Sequence, residues 1–420
     1  MKLDTLTNNY NSKWYLIYIL LYFSLICSFL LGENSTGGAI KDYINQKSIS
    51  QDFSNNFYLT FFDYEKYNTR HSPILAIFLS FFETIQLNDF FVRFIHLNIC
   101  LILPIYFYKS LNLVIKNKNI AFFLVSLIFI SPTFRTLAIW PDSRLLGLVF
   151  FTISIYQYLK FQKKGKFLNC IKNIIFLSLS AYISPNFSLF AVFYFLNFII
   201  YYQKNSKTIF IIVLLNVILS FPAFFYLFFL DNNFLNNAAV LNENSKSIFL
   251  LGNIPNNILL ISSIIFFYLI PFLIIKTFKF NPNKKFFINI IISLAILCFC
   301  INYFDYKNEY TGGGIFFKLF YVLLDTKYIF FTVVFISLFY VFNLSNFKFD
   351  NFLLIMILIL SNPQITVYHK YYDPLLLILF FSLFKIDINF KNLEKFKNKI
   401  LIFFYFLIFL IISNLKSYVL

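Results

Sequence analysis

The chain has 420 residues, of which 60% are apolar and only 13% charged, about half the roughly 25% charged share of a soluble domain. That composition excludes a soluble globular protein and, at about 20 apolar residues per bilayer crossing, leaves room for a dozen or so helical spans. The formal charge of +17 does not indicate a nucleic-acid partner, because the basic residues form short clusters between apolar runs, where cytoplasmic loops collect Lys and Arg.

All five cysteines, Cys27, Cys100, Cys170, Cys298 and Cys300, lie within apolar runs, so the sequence offers neither a disulfide framework nor metal-ligand spacing. The first apolar run, residues 14–31, follows Lys13 and lacks a small-residue cleavage pattern; it is expected to be an uncleaved first span. A polar stretch over 32–72 comes next, the longest in the chain. The apolar piece 73–87 that follows it would rise only about 22 Å as a helix, short of a hydrocarbon core of roughly 30 Å. Its polar residues Ser80, Glu83 and Thr84 stand at i, i+3 and i+4 spacing, which predicts a helix lying in the interface with one wet face. Counting this piece as a span would put Lys160, Lys163, Lys164 and Lys166 outside, against the positive-inside rule.

With that piece interfacial, thirteen spans are expected, near 14–31, 90–108, 119–132, 144–160, 167–183, 187–202, 208–230, 254–275, 286–302, 328–343, 351–362, 374–384 and 400–413. The fold class is then all-α: one polytopic domain over 1–420, amino terminus inside and carboxyl terminus outside. Its first outer segment, 32–89, carries amphipathic juxtamembrane helices. In this orientation all of the eighteen carboxylates except Asp4, Asp350, Asp387 and Glu394 lie outside or at the outer interface. The orientation rule constrains Lys and Arg rather than Asp and Glu, so this segregation points to the outer face as the seat of any chemistry. Charged or basic residues deep in a span are nearly absent; Arg93, His96 and Lys172 are the exceptions, each within two turns of a span end from which a side chain can reach the interface. No internal repeat stands out, and the Gly/Pro-broken helix pairs of inverted-repeat transporters are missing.

Three outer segments concentrate candidate residues. In the first, Gly37-Gly38 is followed by Asp42 and then by Phe53, Phe57 and Phe61 at i+4 spacing, a stripe that would hold Asp42 near headgroup level. A carboxylate there can act as a base beside a lipid-linked leaving group; a solvated surface Asp is the alternative. In the second, Trp140-Pro141-Asp142 lies between Arg135 and Arg144, either an ion-pair cluster or a seat for a phosphate. In the third, 362–374, His369 and Lys370 stand among Tyr368, Tyr371, Tyr372 and Asp373. These two bind a lipid phosphate, or else form an aromatic belt with a snorkelling Lys. Thr311-Gly312-Gly313-Gly314 reads as a flexible hinge before an apolar stretch.

The order of these parts resembles the GT-C superfamily of integral membrane glycosyltransferases, in particular the branch of protein O-mannosyltransferases and lipid A aminoarabinose transferases. The likeness covers residues 14–165. It rests on Asp42 in the first outer loop, on Arg70-His71-Ser72-Pro73-Ile74, similar to the family's His-Pro-Pro-Leu segment, and on the span start Asn88-Asp89-Phe90-Phe91-Val92-Arg93-Phe94. Trp140-Pro141-Asp142-Ser143-Arg144 completes it. Two departures are Asp42-Tyr43 where the family often has Asp-Glu, and Ser72 in place of the first proline.

The resemblance implies an inverting transfer of a sugar from a polyprenyl-phosphate donor to a lipid, glycan or protein acceptor on the outer, periplasmic face of the inner membrane. It makes Asp42 the general base and places Asp142, Arg144, Arg70, His71, Arg93, His369 and Lys370 around the donor. Asp42 and Asp142 would be the ligands of a divalent cation if one is used. A transporter or flippase of lipid-linked saccharides is the rival from another class, and a saccharide polymerase the rival enzyme. The first wants ionisable groups at the bilayer midplane; the second usually carries its largest outer loop late in the chain.

Overall fold

The computed structural model describes residues 3–67, 69, 71–228, 253–278, 284–307, 312–362 and 366–419. These residues form helices; the one β feature among them is an isolated bridge between Phe278 and Ile388. Among the described residues, five helices are long and apolar enough to cross a membrane: Asp89–Val114, Ser206–Phe228, Ile254–Ile274, Tyr328–Ser345 and Phe396–Lys416. A sixth arises if Lys118–Ile130 and Pro132–Ile139, bent by 61°, count as one. This architecture is compatible with a polytopic membrane protein.

Two of these helices are equally apolar and oppositely placed. In an 18-residue apolar stretch of Ile254–Ile274, 72% of the residues are buried, whereas in the corresponding stretch of Ser206–Phe228 6% are, and that helix turns Phe210, Val217, Phe221 and Phe228 outward. A surface of that kind is an aggregation hazard in water and a natural contact for lipid. Leu375–Ser382 departs from the span expected over 374–384: it has eight residues, all of them buried. At about 12 Å it is too short to cross a core of roughly 30 Å, so it serves as an inner packing helix.

The bend at 131–132 has a local cause. Pro132 has no N–H to give and sits at the first helical position, where none is needed. Ser131 Oγ accepts the amide of Phe134 at 3.0 Å and starts the new helix. Residues 133–139 were expected as an outer loop; they instead form the helix Pro132–Ile139, buried along its whole length.

The first outer segment folds as Ala39–Asn55, Phe57–Phe62 and Ile74–Thr84. Ile74–Thr84 is a short helix of eleven residues packed against Ala39–Asn55, as its length predicted, but its faces differ from the expectation. Ser80 is buried, its hydroxyl donating to Ile77 O at 2.8 Å, while Ile74, Phe81 and Ile85 are exposed beside Thr84. The phenylalanine stripe is split as well. Asn56 leaves the helical conformation and accepts from Leu59 N to begin a second helix, so Phe53 goes into a cluster with Tyr64, Ala76 and Tyr226 while Phe57 stays exposed.

Candidate functional site

Asp42 owes its position to Gly37 and Gly38. Both have positive φ, 63° and 76°, a conformation that costs a side chain and suits glycine, and they turn the chain into the helix Ala39–Asn55. Asp42 then falls in the first turn of that helix, where the positive end of the dipole favours a carboxylate. It is about one-third exposed, and its Oδ2 lies 3.0 Å from the ammonium of Lys370, more than three hundred residues away.

Lys370 stands on a connector fixed at both ends. Val367 O accepts from Gly313 N at 2.8 Å, and Val367 N donates to Tyr306 Oη. At the other end Asp373 Oδ2 accepts from Ser131 Oγ at 2.6 Å and from Thr133 N at 3.0 Å; burial raises the Asp373 pKa despite these bonds. The glycine run is part of this clamp and not the free hinge expected of it. A Cβ on Gly312 would come within 2.6 Å of Val367 O, so the close approach itself requires glycine. Thr311 and residues 363–365 lie outside the described residues.

Asp142 arrives from a third direction. It is the N-cap of Ser143–Lys164, accepting Arg144 N at 2.7 Å, and is 4% exposed. Burial alone would favour the neutral acid, but Arg144, Lys370 and His71, with the Arg144 amide, outweigh it and hold its carboxyl below the ordinary aspartate value. The Arg144 guanidinium stacks over the ring of Tyr371 at 4.1 Å. Its Nη1 is buried and has no hydrogen-bond partner among the described residues. His71 Nδ1 lies 3.1 Å from Ser143 Oγ. Asp42, Asp142, Arg144, His71 and Lys370 are therefore gathered, with Lys370 acting on both carboxylates.

The other expected residues are elsewhere. Arg93 is held between the rings of Trp140, at 3.6 Å, and Phe29, at 5.1 Å, and its Nε donates to Ile139 O. It belongs with Asp89, whose Oδ1 accepts from Tyr43 Oη at 2.5 Å and Lys47 Nζ at 2.8 Å. His369 turns away from Lys370 to Tyr268, its Nε2 3.0 Å from the phenol oxygen, among the rings of Phe267 and Phe409; burial lowers its pKa. Arg70 lies outside the described residues. Arg135, expected beside Asp142, forms a separate buried pair with Glu33 at 2.9 Å and spends its remaining N–H groups on Ser24, Ser28 and Phe129 O.

A divalent cation does not fit this donor set. Asp42 is already paired with the Lys370 ammonium, whose charge also acts on Asp142, and no group of three or more His, Cys, Asp or Glu suited to a metal occurs among the described residues. What the arrangement offers is a surface carboxylate next to anion-seeking groups. Comparison with protein-family models, with curated proteins and with solved structures finds no match to this chain.

Proposed function

We propose that this chain is an integral membrane glycosyltransferase of GT-C type. It moves a sugar from a polyprenyl-phosphate donor to an acceptor on the outer face of the inner membrane, with inversion. The observation that carries this reading is the gathering of Asp42, of Asp142 with Arg144, and of Lys370 with Tyr371 from three remote parts of the sequence, Lys370 pairing with Asp42 and acting on Asp142 while Arg144 stacks on Tyr371. The amino terminus inside belongs to the same proposal, with the twelfth of the thirteen expected spans, 374–384, replaced by the short packing helix Leu375–Ser382.

In this mechanism the donor's tail stays in lipid and its phosphate is held by Lys370 and by Arg144, whose buried Nη1 lacks a partner among the described residues. Asp42 takes the proton of the acceptor hydroxyl as that oxygen attacks the anomeric carbon. The bond from that carbon to the phosphate oxygen breaks on the opposite face, its electron pair leaves with the phosphate, and a single displacement inverts the centre. Asp142, kept ionised, orients the two cations instead of sharing the proton.

The test is reconstitution of the full chain in nanodiscs with a panel of polyprenyl-phosphate sugars, measuring the polyprenyl phosphate released with and without candidate acceptors. Release that depends on an acceptor and disappears in Asp42→Asn supports the assignment. A panel turned over equally by wild type and Asp42→Asn removes Asp42 as the base.

A further inference from the structure

A base must have a free oxygen, and in this structure Asp42 Oδ2 is engaged by Lys370 at 3.0 Å. Three observations make that engagement reversible. The Asp42 side chain is 31% exposed against 11% for Lys370, so water reaches the carboxylate side of the pair and competes with the lysine there. Lys370 also bears on Asp142, so its charge keeps a partner when it leaves Asp42. The connector is fixed at Val367 by Gly313 and at Asp373 by Ser131 and Thr133, which leaves the lysine side chain as the part able to move. An anion has a place to land beside it, because Arg144 is stacked on Tyr371, the residue after Lys370, with a buried Nη1 that has no hydrogen-bond partner among the described residues.

We propose that the Asp42–Lys370 pair is a resting latch, opened when a phosphate headgroup seated on Arg144 draws Lys370 away and so uncovers the Asp42 carboxylate. Asp42 is then exposed only while the anion is bound. That economy would protect a lipid-linked sugar from water, since the base is uncovered only in a site already filled. What Asp42 does once free rests on the transferase reading; the latch does not.

The test uses the full chain in maltoside micelles, labelled with a carbodiimide and an amine. Peptide mass spectrometry gives the labelling of Asp42 relative to Asp63, an exposed carboxylate in the same segment. In wild type the ratio is expected to rise about fivefold on adding a polyprenyl monophosphate, the change for a pair worth about 1 kcal/mol. Inorganic phosphate in a parallel arm separates the sources: the same rise there assigns the effect to the headgroup alone, and a rise with the lipid only makes the tail part of the ligand. Lys370→Gln is expected to show the high ratio with no ligand. An unchanged or lower ratio with both probes overturns the latch, as does a Lys370→Gln ratio equal to that of ligand-free wild type. A raised ratio with no sugar transferred upholds the latch and removes the transferase reading; transfer without a raised ratio does the reverse.

Discussion

Among the described residues, two ion pairs join the first outer segment to distant parts of the chain, and they are built differently. In Glu33–Arg135 both side chains are 8% exposed, and Arg135 satisfies its N–H groups on Glu33, Ser24, Ser28 and Phe129 O. Glu33 in turn receives Asn414 from the helix Phe396–Val419, and its backbone oxygen receives Trp140 Nε1. Asp42–Lys370 has side-chain exposures of 31% and 11%, and the Arg144 guanidinium, stacked on the neighbouring Tyr371, keeps an Nη1 with no hydrogen-bond partner among the described residues. A closed network has nothing to offer a ligand; an open one does. The contrast separates charges that hold the bundle together from charges available for chemistry.

The comparison is broken most sharply by substituting one member of each pair. Asp42→Asn removes the base, so transfer is expected to fall roughly a hundredfold to ten-thousandfold. Its melting temperature in detergent stays near that of wild type, since a partly exposed pair is worth about 0–1 kcal/mol. Arg135→Ala does the opposite. Leaving Glu33 charged and buried is expected to cost about 3–5 kcal/mol, read as a large drop in melting temperature. Whatever protein remains folded keeps its turnover per molecule.

Arg144→Lys sharpens the picture on the ligand side. A lysine keeps the charge but loses the planar stack on Tyr371 and the fork of donors. The Michaelis constant for the donor is therefore expected to rise about tenfold, roughly 1.4 kcal/mol, with turnover little changed. The smallest effect concerns acid. Asp142 is held below the ordinary aspartate value, so its ionised form contributes stability that is present above the unfolded value near pH 3.9 and lost as the pH falls through the folded one. The melting temperature of Asp142→Asn should accordingly fall less than that of wild type on acidification from about pH 6 to about pH 3.

That the chain is helical with several membrane-length apolar helices could be read in the sequence, because apolar runs act locally. The sequence also marked 73–87 as too short to span, and the helix Ile74–Thr84 has that length. It could not tell a central helix from a lipid-facing one, since Ile254–Ile274 and Ser206–Phe228 are alike in composition and lipid is as apolar as a core. Nor could it see that Pro132 starts a buried helix, because a proline at a helix start and one ending a span leave the same pattern.

In the site, residue type and loop mark Asp42, Asp142, Arg144 and Lys370, and the family resemblance marks His71. Their convergence is a tertiary fact that no spacing encodes. Arg135 and Arg144 are near neighbours in sequence on either side of Asp142, yet one is spent on Glu33 and the other kept for the site. The bonds of Asp89 to Tyr43 and Lys47 and the anchoring role of Asp373 went unread because each partner lies far away in the chain.

The central claim, that Asp42 is the base of a sugar transfer on the outer face, is tested most directly by mass spectrometry of envelope glycans and polyprenyl lipids. Cells lacking the gene would be complemented with wild type or with Asp42→Asn. The account predicts that the deletion removes one sugar from one glycan and accumulates its polyprenyl-linked donor, and that only wild type restores both. Full restoration by Asp42→Asn would contradict it.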